Sequence, residues 1–363
     1  MRRKTRQIRL GGLTVGGDAP ISVQSMCTTD TRDVAATLNQ IAELERAGCE
    51  IVRCAVPDVD AARALKQVRN GCRIPLVADI HFDYQLALEA VAAGVDGLRI
   101  NPGNIGERWK IAEVVRACQE RQIPIRIGVN AGSLEKELLH KHGQATAAAM
   151  VESALGHIRL LEEQGFDLMK ISLKASDISR TVAAYRLLAE QVDYPLHVGV
   201  TEAGTVFSGT IKSAIGLGVL LMEGIGDTLR VSLTGDPVTE VRVGWEILKG
   251  LELRQRGPVF ISCPTCGRCR IDLIRIAQEV EERLQDLPLP LKIAVMGCAV
   301  NGPGEAREAD LGIAGGNEEG ILFRRGKLVR KVPQAHLADV LVNAAWQEVE
   351  DRQGSKKNDS HDR

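Results

Sequence analysis

The chain has 363 residues, of which 44% are hydrophobic and 26% charged, and its formal net charge is −1. This composition is typical of a globular protein with room for one large and one small domain. A charge so close to zero excludes a general attraction to nucleic acid or membranes, so any strong field must be local. The nine cysteines are odd in number and scattered, which indicates a reducing compartment. No apolar run approaches the roughly 20 residues that span a bilayer, so we expect a cytoplasmic protein.

A repeating strand–helix pattern fills the chain from Ile21 to about residue 250. Short β-branched runs alternate with segments whose apolar residues recur every three or four positions, and Gly48 and Gly94 stand where helices should stop. The predicted strands are Ile21–Gln24, Ile51–Ala55, Leu76–Asp79, Gly97–Asn101, Ile125–Val129, Leu168–Leu173, Leu196–Val200 and Thr228–Leu233. Eight such units predict a (β/α)₈ TIM barrel over residues 1–253. An open doubly wound sheet is the alternative, although no Gly-x-Gly-x-x-Gly follows the first strand.

A second, small α/β domain is predicted over residues 258–350, after a linker near Arg254–Pro258. Its predicted elements are a strand at Val259–Ser262, a helix at Arg270–Leu284, a strand at Lys292–Met296, a hairpin within Ile321–Val332 and a helix at Pro333–Val349. Residues 351–363 are rich in Lys, Asp, Ser and Asn, so we expect a disordered tail there.

Polar residues cluster toward the carboxyl ends of the predicted barrel strands, where barrel enzymes carry their chemistry. Period-two alternation turns five cations inward: Arg53, Arg99, Arg126, Lys174 and Arg230. Asn130 and Ser232 share this alternation. Any one of these cations could equally be a salt-bridged barrel residue. Five together in a chain without surplus charge predict a compact polyanionic ligand, because unpaired buried charge is costly and arginine suits phosphate oxygens.

Candidate acid–base residues lie at the same strand ends. Glu202 follows Thr201 in the seventh unit and could act as a general acid or base, or as a capping partner of the next helix. Asp79 and His81 form a similar pair at the end of the third strand, where His81 could bind substrate or be a polar lid residue.

A metal site is predicted from Cys263-Pro-Thr-Cys266-Gly-Arg-Cys269, read with Cys298-Ala-Val-Asn-Gly-Pro-Gly-Glu305. Thiolates at this spacing suit an iron–sulfur cluster or zinc. The fourth ligand is open: Cys269 would give a closed Cys₄ site, whereas Glu305 would supply a more exchangeable oxygen ligand. The cysteines at 27, 49, 54, 72 and 118 are expected to be core residues.

These motifs together resemble the 4-hydroxy-3-methylbut-2-enyl diphosphate synthases of the non-mevalonate isoprenoid pathway, in their short bacterial form. The matching stretches are Val23–Met26, Ala78–His81, Arg99–Gly103, Arg126–Asn130, Lys170–Lys174, Gly199–Gly204, Arg230–Ser232, Cys263–Cys266 and Gly297–Glu305. They follow the family's order over nearly the whole chain.

The resemblance implies a [4Fe–4S] cluster held by Cys263, Cys266, Cys298 and Glu305. It implies two-electron reductive ring opening and dehydration of 2-C-methyl-D-erythritol 2,4-cyclodiphosphate, with flavodoxin or ferredoxin as the electron donor. By the family pattern Arg53, Arg99, Arg126, Asn130, Lys174, Arg230 and Ser232 bind the diphosphate, and Asp79, His81, Thr201 and Glu202 lie near the reacting end. The resemblance also implies a homodimer with each site formed in trans.

Two other functions fit the residues alone. A pterin-type condensing barrel with a structural zinc module would share the anion-binding mouth and need no redox centre. An electron-carrier protein would use only the cysteine-containing domain.

Overall fold

The computed structural model describes residues 2–298, 304 and 308–359 of the chain. The chain divides into two compact units at Arg254 and Gln255, beside the predicted linker. No helix in the described residues is long and apolar enough to cross a membrane.

The first unit is a parallel β-barrel surrounded by helices. Its strands are β3 Ser22–Met26, β4 Ile51–Ala55, β5 Leu76–Asp79, β6 Gly97–Ile100, β7 Ile125–Asn130, β8 Met169–Lys174, β9 His197–Val198 and β10 Thr228–Leu229. In the described residues these eight strands pair in the order β8-β7-β6-β5-β4-β3-β10-β9, and a bridge between Ile171 and Leu196 joins the two edges. The predicted TIM barrel is therefore confirmed, and the open doubly wound sheet was wrong.

The helices follow the strands in regular alternation. Their bounds are α1 Val34–Ala47, α2 Val59–Gly71, α3 Tyr84–Ala93, α4 Pro102–Ile105, α5 Arg108–Glu120, α6 Lys136–His142, α7 Ala147–Glu162, α8 Ile178–Ala189, α9 Val206–Met222 and α10 Pro237–Gly250. Asp33 and Asp58 cap the first turns of α1 and α2 through their side chains. Gly48 and Gly94 end α1 and α3 with φ of 101° and 86°, as predicted, because glycine adopts this left-handed conformation without strain.

An N-terminal hairpin, which sequence reasoning missed, covers the amino end of the barrel. Strands β1 Ile8–Leu10 and β2 Leu13–Val15 pair antiparallel around Gly11 and Gly12. Ile8, Leu10 and Val15 pack against Ile51 and Val77 from the barrel strands. Burial of these apolar side chains closes the amino end of the barrel.

The second unit is a five-stranded sheet in the described residues, with two helices packed against it. Its elements are β11 Val259–Ser262, α11 Leu273–Leu284, β12 Lys292–Met296, β13 Leu311–Gly315, β14 Glu319–Arg324, β15 Lys327–Pro333 and α12 Leu337–Asp359. Strands β11, β12 and β13 are parallel, whereas β14 and β15 form the predicted antiparallel hairpin. Strand β13 was missed.

Helix α12 extends through residues 351–359, the first part of the segment for which we expected a disordered tail. Side-chain contacts one turn apart extend the helix: Gln347 Nε2 donates to Asp351 at 3.3 Å, and Arg352 lies 4.0 Å from Glu348. Such pairs add a small stabilisation to an exposed helix turn.

Candidate functional site

Five cationic side chains from different strands meet inside the barrel. Arg53, Arg99, Arg126 and Lys174 lie on β4, β6, β7 and β8, and each is at most 7% exposed. Arg230 follows β10 directly and is half-buried. We call these five residues the cation basin. The sequence alternation that predicted inward-facing cations therefore brings them together in the structure.

The cations are close enough to perturb one another. Burial lowers the pKa of Lys174 well below its ordinary value, and the charges of Arg126 and Arg230 lower it further. Burial likewise lowers the pKa of Arg53 to about 10, although the carboxylate of Asp79 opposes this. A group of positive charges held in this way favours an anion that would neutralise them.

Asp79 balances part of this charge. Its carboxylate lies 3.6 Å from Arg53, 3.2 Å from Arg99 and 3.4 Å from His81 Nε2. Burial alone would raise the pKa of Asp79, but the two arginines and the hydrogen bond from His81 hold that pKa well below its ordinary value. Asp79 is therefore ionised at neutral pH. His81 itself is exposed at the edge of the basin.

Glu240 is the second counter-charge, and sequence reasoning missed it. It lies in the first turn of α10, is 4% exposed, and contacts Arg230 at 3.3 Å. An acidic residue just after Asp236-Pro237 is typical of a helix start, so the position of Glu240 in the sequence does not by itself indicate a role in the site.

Arg126 and Lys174 form no ion pair with a carboxylate anywhere in the described residues. Two nitrogens of Arg126, Nε and Nη1, are buried without a hydrogen-bond partner in the same part of the chain. With every basic group protonated, the five cations of the basin would exceed its two carboxylates by three charges, and the lowered pKa of Lys174 reflects the cost of this excess. A buried surplus of this size indicates a multiply charged anionic ligand.

Two glycines leave room for the basin. A Cβ on Gly128 would lie 2.7 Å from Arg99 Nε. A Cβ on Gly199 would lie 2.5 Å from the Arg230 carbonyl oxygen and 2.9 Å from Lys174 Nζ. A larger residue at either position would displace a cation or the backbone that carries it.

The remaining predicted residues lie at the strand ends. Asn130 is the last residue of β7 and pairs in register with Lys174, while Ser232 follows Arg230 by two positions. Thr201 is half-buried after β9, and Glu202 is exposed with φ of 51°. A non-glycine residue in this left-handed region is uncommon, and such residues concentrate at functional sites.

The cysteines of the second unit follow neighbouring strands. Cys263 comes directly after β11, and Cys298 follows β12 by two residues, at the same edge of the sheet because β11 and β12 are parallel. The Gly297 amide donates to Cys263 Sγ at 3.2 Å, and Cys266 lies exposed on the loop between. Glu305 lies outside the described residues. No group of three possible metal ligands is assembled within the described residues.

Cys269 is turned toward its own loop. Its Sγ donates to the Ile271 carbonyl oxygen at 3.2 Å and lies against Gly297, where a Cβ would approach it to 2.7 Å. This geometry is that of a packed thiol. Of the other cysteines, Cys263 accepts the hydrogen bond from the Gly297 amide, an interaction that a metal-bound sulfur can also accept.

Comparisons with known proteins cover both units. Residues 5–245 match the family model described as the GcpE TIM-barrel domain, and residues 259–347 match the GcpE protein C-terminal domain. The chain is 70% identical over 342 residues to the 4-hydroxy-3-methylbut-2-en-1-yl diphosphate synthase (flavodoxin) of Geobacter sulfurreducens, covering 94% of this chain and 97% of that one. The proteins of the same name from Symbiobacterium thermophilum and Clostridium perfringens are each 59% identical, covering 96% and 94% of this chain and 94% and 98% of theirs.

Solved structures give a weaker likeness. Dihydropteroate synthase from Xanthomonas albilineans aligns with a TM-score of 0.49 and 14% identity over 68% of this chain and 97% of that one. A similarity at this level supports no argument about function.

Proposed function

The chain belongs to the GcpE family, and from that premise we propose that it performs the reaction for which its relatives are named, the formation of 4-hydroxy-3-methylbut-2-en-1-yl diphosphate with flavodoxin as electron donor. The substrate would be 2-C-methyl-D-erythritol 2,4-cyclodiphosphate, which undergoes two-electron ring opening and loss of water. The observation that carries the proposal is the excess positive charge of the cation basin. The pterin-type barrel and the electron carrier find no support in the relatives' names.

The cation basin would bind the diphosphate. Arginine presents paired N–H donors that match phosphate oxygens, and burial strengthens each of these contacts. Arg126 supports this role best, because its buried Nε and Nη1 have no hydrogen-bond partner in the described residues. Asn130 and Ser232 would add neutral donors at the strand ends. The ligand would then be held in one orientation toward the basin's mouth.

Asp79 would orient side chains of the basin rather than transfer protons. Its depressed pKa leaves it ionised at neutral pH, so it can orient Arg53, Arg99 and His81 but has no proton to donate. The family pattern, in which Glu202 lies near the reacting end, favours Glu202 as the proton donor for the departing hydroxyl, and Glu202 is exposed beside Thr201 after β9.

The second unit would hold a [4Fe–4S] cluster through Cys263, Cys266, Cys298 and Glu305. The first three supply the soft thiolate ligands that such a cluster requires, and Cys269 is left out because it bonds to Ile271. When bound, the cluster would supply the two electrons singly from flavodoxin or ferredoxin. Two copies of the chain would combine barrel and cluster in trans. A cytoplasmic location agrees with the reduced cysteines buried in the barrel.

Anaerobic turnover tests the reaction. The protein, purified without oxygen and given reduced flavodoxin, should convert the cyclodiphosphate to the open-chain diphosphate and show absorption near about 400 nm that reductant bleaches. A colourless, zinc-containing protein without turnover would contradict the proposal.

Two variants test the residue roles. Glu202→Gln should keep substrate binding and lose turnover, whereas full activity would exclude Glu202 as the proton donor. Cys298→Ser should lose iron and activity together, and unchanged iron content would exclude Cys298 as a ligand.

A further inference from the structure

Glu240 joins three parts of the barrel through one buried carboxylate. Its Oε2 accepts hydrogen bonds from Ser25 Oγ at 3.1 Å and from Arg230 Nε and Nη2, both at 3.3 Å. Its Oε1 accepts from the Leu233 amide at 3.0 Å and lies 3.4 Å from Arg230 Nη2. The carboxylate therefore connects the end of β3, the cation after β10 and the loop that carries Ser232.

The same contacts fix which edge of Arg230 remains available. Nε and Nη2 face Glu240, so the other terminal nitrogen, Nη1, is directed elsewhere and lies 3.7 Å from Met26 Sδ. That sulfur also contacts Arg53 Nη2 at 2.8 Å. A thioether is a weak acceptor, so it separates two guanidinium groups without competing with a phosphate oxygen for them.

We propose that Glu240 is a positioning residue that orients Arg230, and with it the Ser232 loop, for the diphosphate. This inference rests on the function proposed above. The charge of Glu240 opposes binding of an anion, yet the residue lies buried beside the basin. Glu240 would therefore contribute by orienting Arg230. A guanidinium whose Nε and Nη2 are held along one edge directs its Nη1 donor in a fixed direction.

Glu240→Gln tests this role. The amide keeps the shape and can still accept from Leu233, but its NH₂ group would face the donors of Arg230. We expect the dissociation constants of inorganic pyrophosphate and of the cyclodiphosphate, measured by calorimetry on the full-length protein, to rise about tenfold. KM should rise more than kcat falls, because Arg230 contacts the diphosphate end.

Glu50→Gln is the matched control. Glu50 also accepts from one arginine, Arg254 at 2.6 Å, and one amide, Val23 at 3.0 Å, but at the amino end of β4. It should leave both dissociation constants unchanged. If Glu240→Gln does not fold, Glu240→Asp gives the same measurement, with the charge kept and the reach shortened.

Arg230→Met separates positioning from a purely structural role. If Glu240 acts through Arg230, adding Glu240→Gln to Arg230→Met should not weaken binding further. Equal losses in both backgrounds, or wild-type affinity in Glu240→Gln, would overturn the inference. Failure of the wild-type protein to bind the cyclodiphosphate would instead refute the proposed function.

Discussion

Lys170 offers a direct test of the charge in the barrel interior. It lies on β8, is 4% exposed, and its Nζ has no hydrogen-bond partner in the described residues. Burial, followed by repulsion from Arg126, lowers the pKa of Lys170 from 10.5 to about 7. A fall of that size corresponds to about 4–5 kcal/mol between the proton affinities of the folded and unfolded states. Lys170→Met removes this ionisation while keeping a similar volume.

The direction in which the free energy of unfolding changes with pH follows from the lowered pKa of Lys170. Between about pH 7 and 10 the unfolded chain binds a proton at Lys170 that the folded barrel does not. The stability associated with neutral Lys170 is thus fully present above its unfolded pKa and is lost as pH falls toward about 7. The free energy of unfolding of the wild type should therefore rise with pH more steeply than that of Lys170→Met, by about 1 kcal/mol per pH unit.

Urea unfolding followed by circular dichroism at pH 7, 8 and 9 measures the two slopes. The variant should also be the more stable protein at pH 7, because it no longer buries an unpaired amine. Parallel stability curves would show that Lys170 titrates normally in the folded barrel, and the reasoning from burial would be wrong.

Three further changes test the site. Gly128→Ala should displace the Arg99 guanidinium and weaken pyrophosphate binding about tenfold, and a crystal structure with Arg99 unmoved would contradict this. Asp79→Asn should destabilise the ligand-free protein by about 3–5 kcal/mol, because Arg53 and Arg99 lose their shared counter-charge. Pyrophosphate should then raise the melting temperature of Asp79→Asn more than that of the wild type. An equal rise would refute the role of Asp79 as the counter-charge of Arg53 and Arg99. Cys269→Ser should keep iron content and turnover, whereas loss of iron would make Cys269 a ligand.

The sequence predicted the barrel because its signals are local and repeated. Strand runs, helix spacing and glycine stops such as Gly48 act within one unit and hardly depend on distant residues. The inward cations followed from the period of two. The short strands β1 and β2 could not be predicted, because three residues are too few to show a period of two.

The charge balance of the site could not be predicted in the same way. Asp79 pairs with Arg53 and Arg99 from the two neighbouring strands, so its position at the end of a strand gave some signal. Glu240 reaches Arg230 from a helix, and the pairing depends on how that helix packs on β3. Only the fold reveals that a helix-start glutamate contacts an anion-binding arginine.

The hairpin across the amino end of the barrel limits the route by which a ligand can reach the cation basin. Leu10 lies so close beneath the strands that even a methyl group on Gly97 would meet it at 2.6 Å. A ligand in the cation basin must enter and leave through the carboxyl end of the strands. Since the proposed product retains its diphosphate, it should exclude the next substrate until it departs. Added product should therefore compete with the substrate for the cation basin, and noncompetitive inhibition would indicate that the product binds at another site.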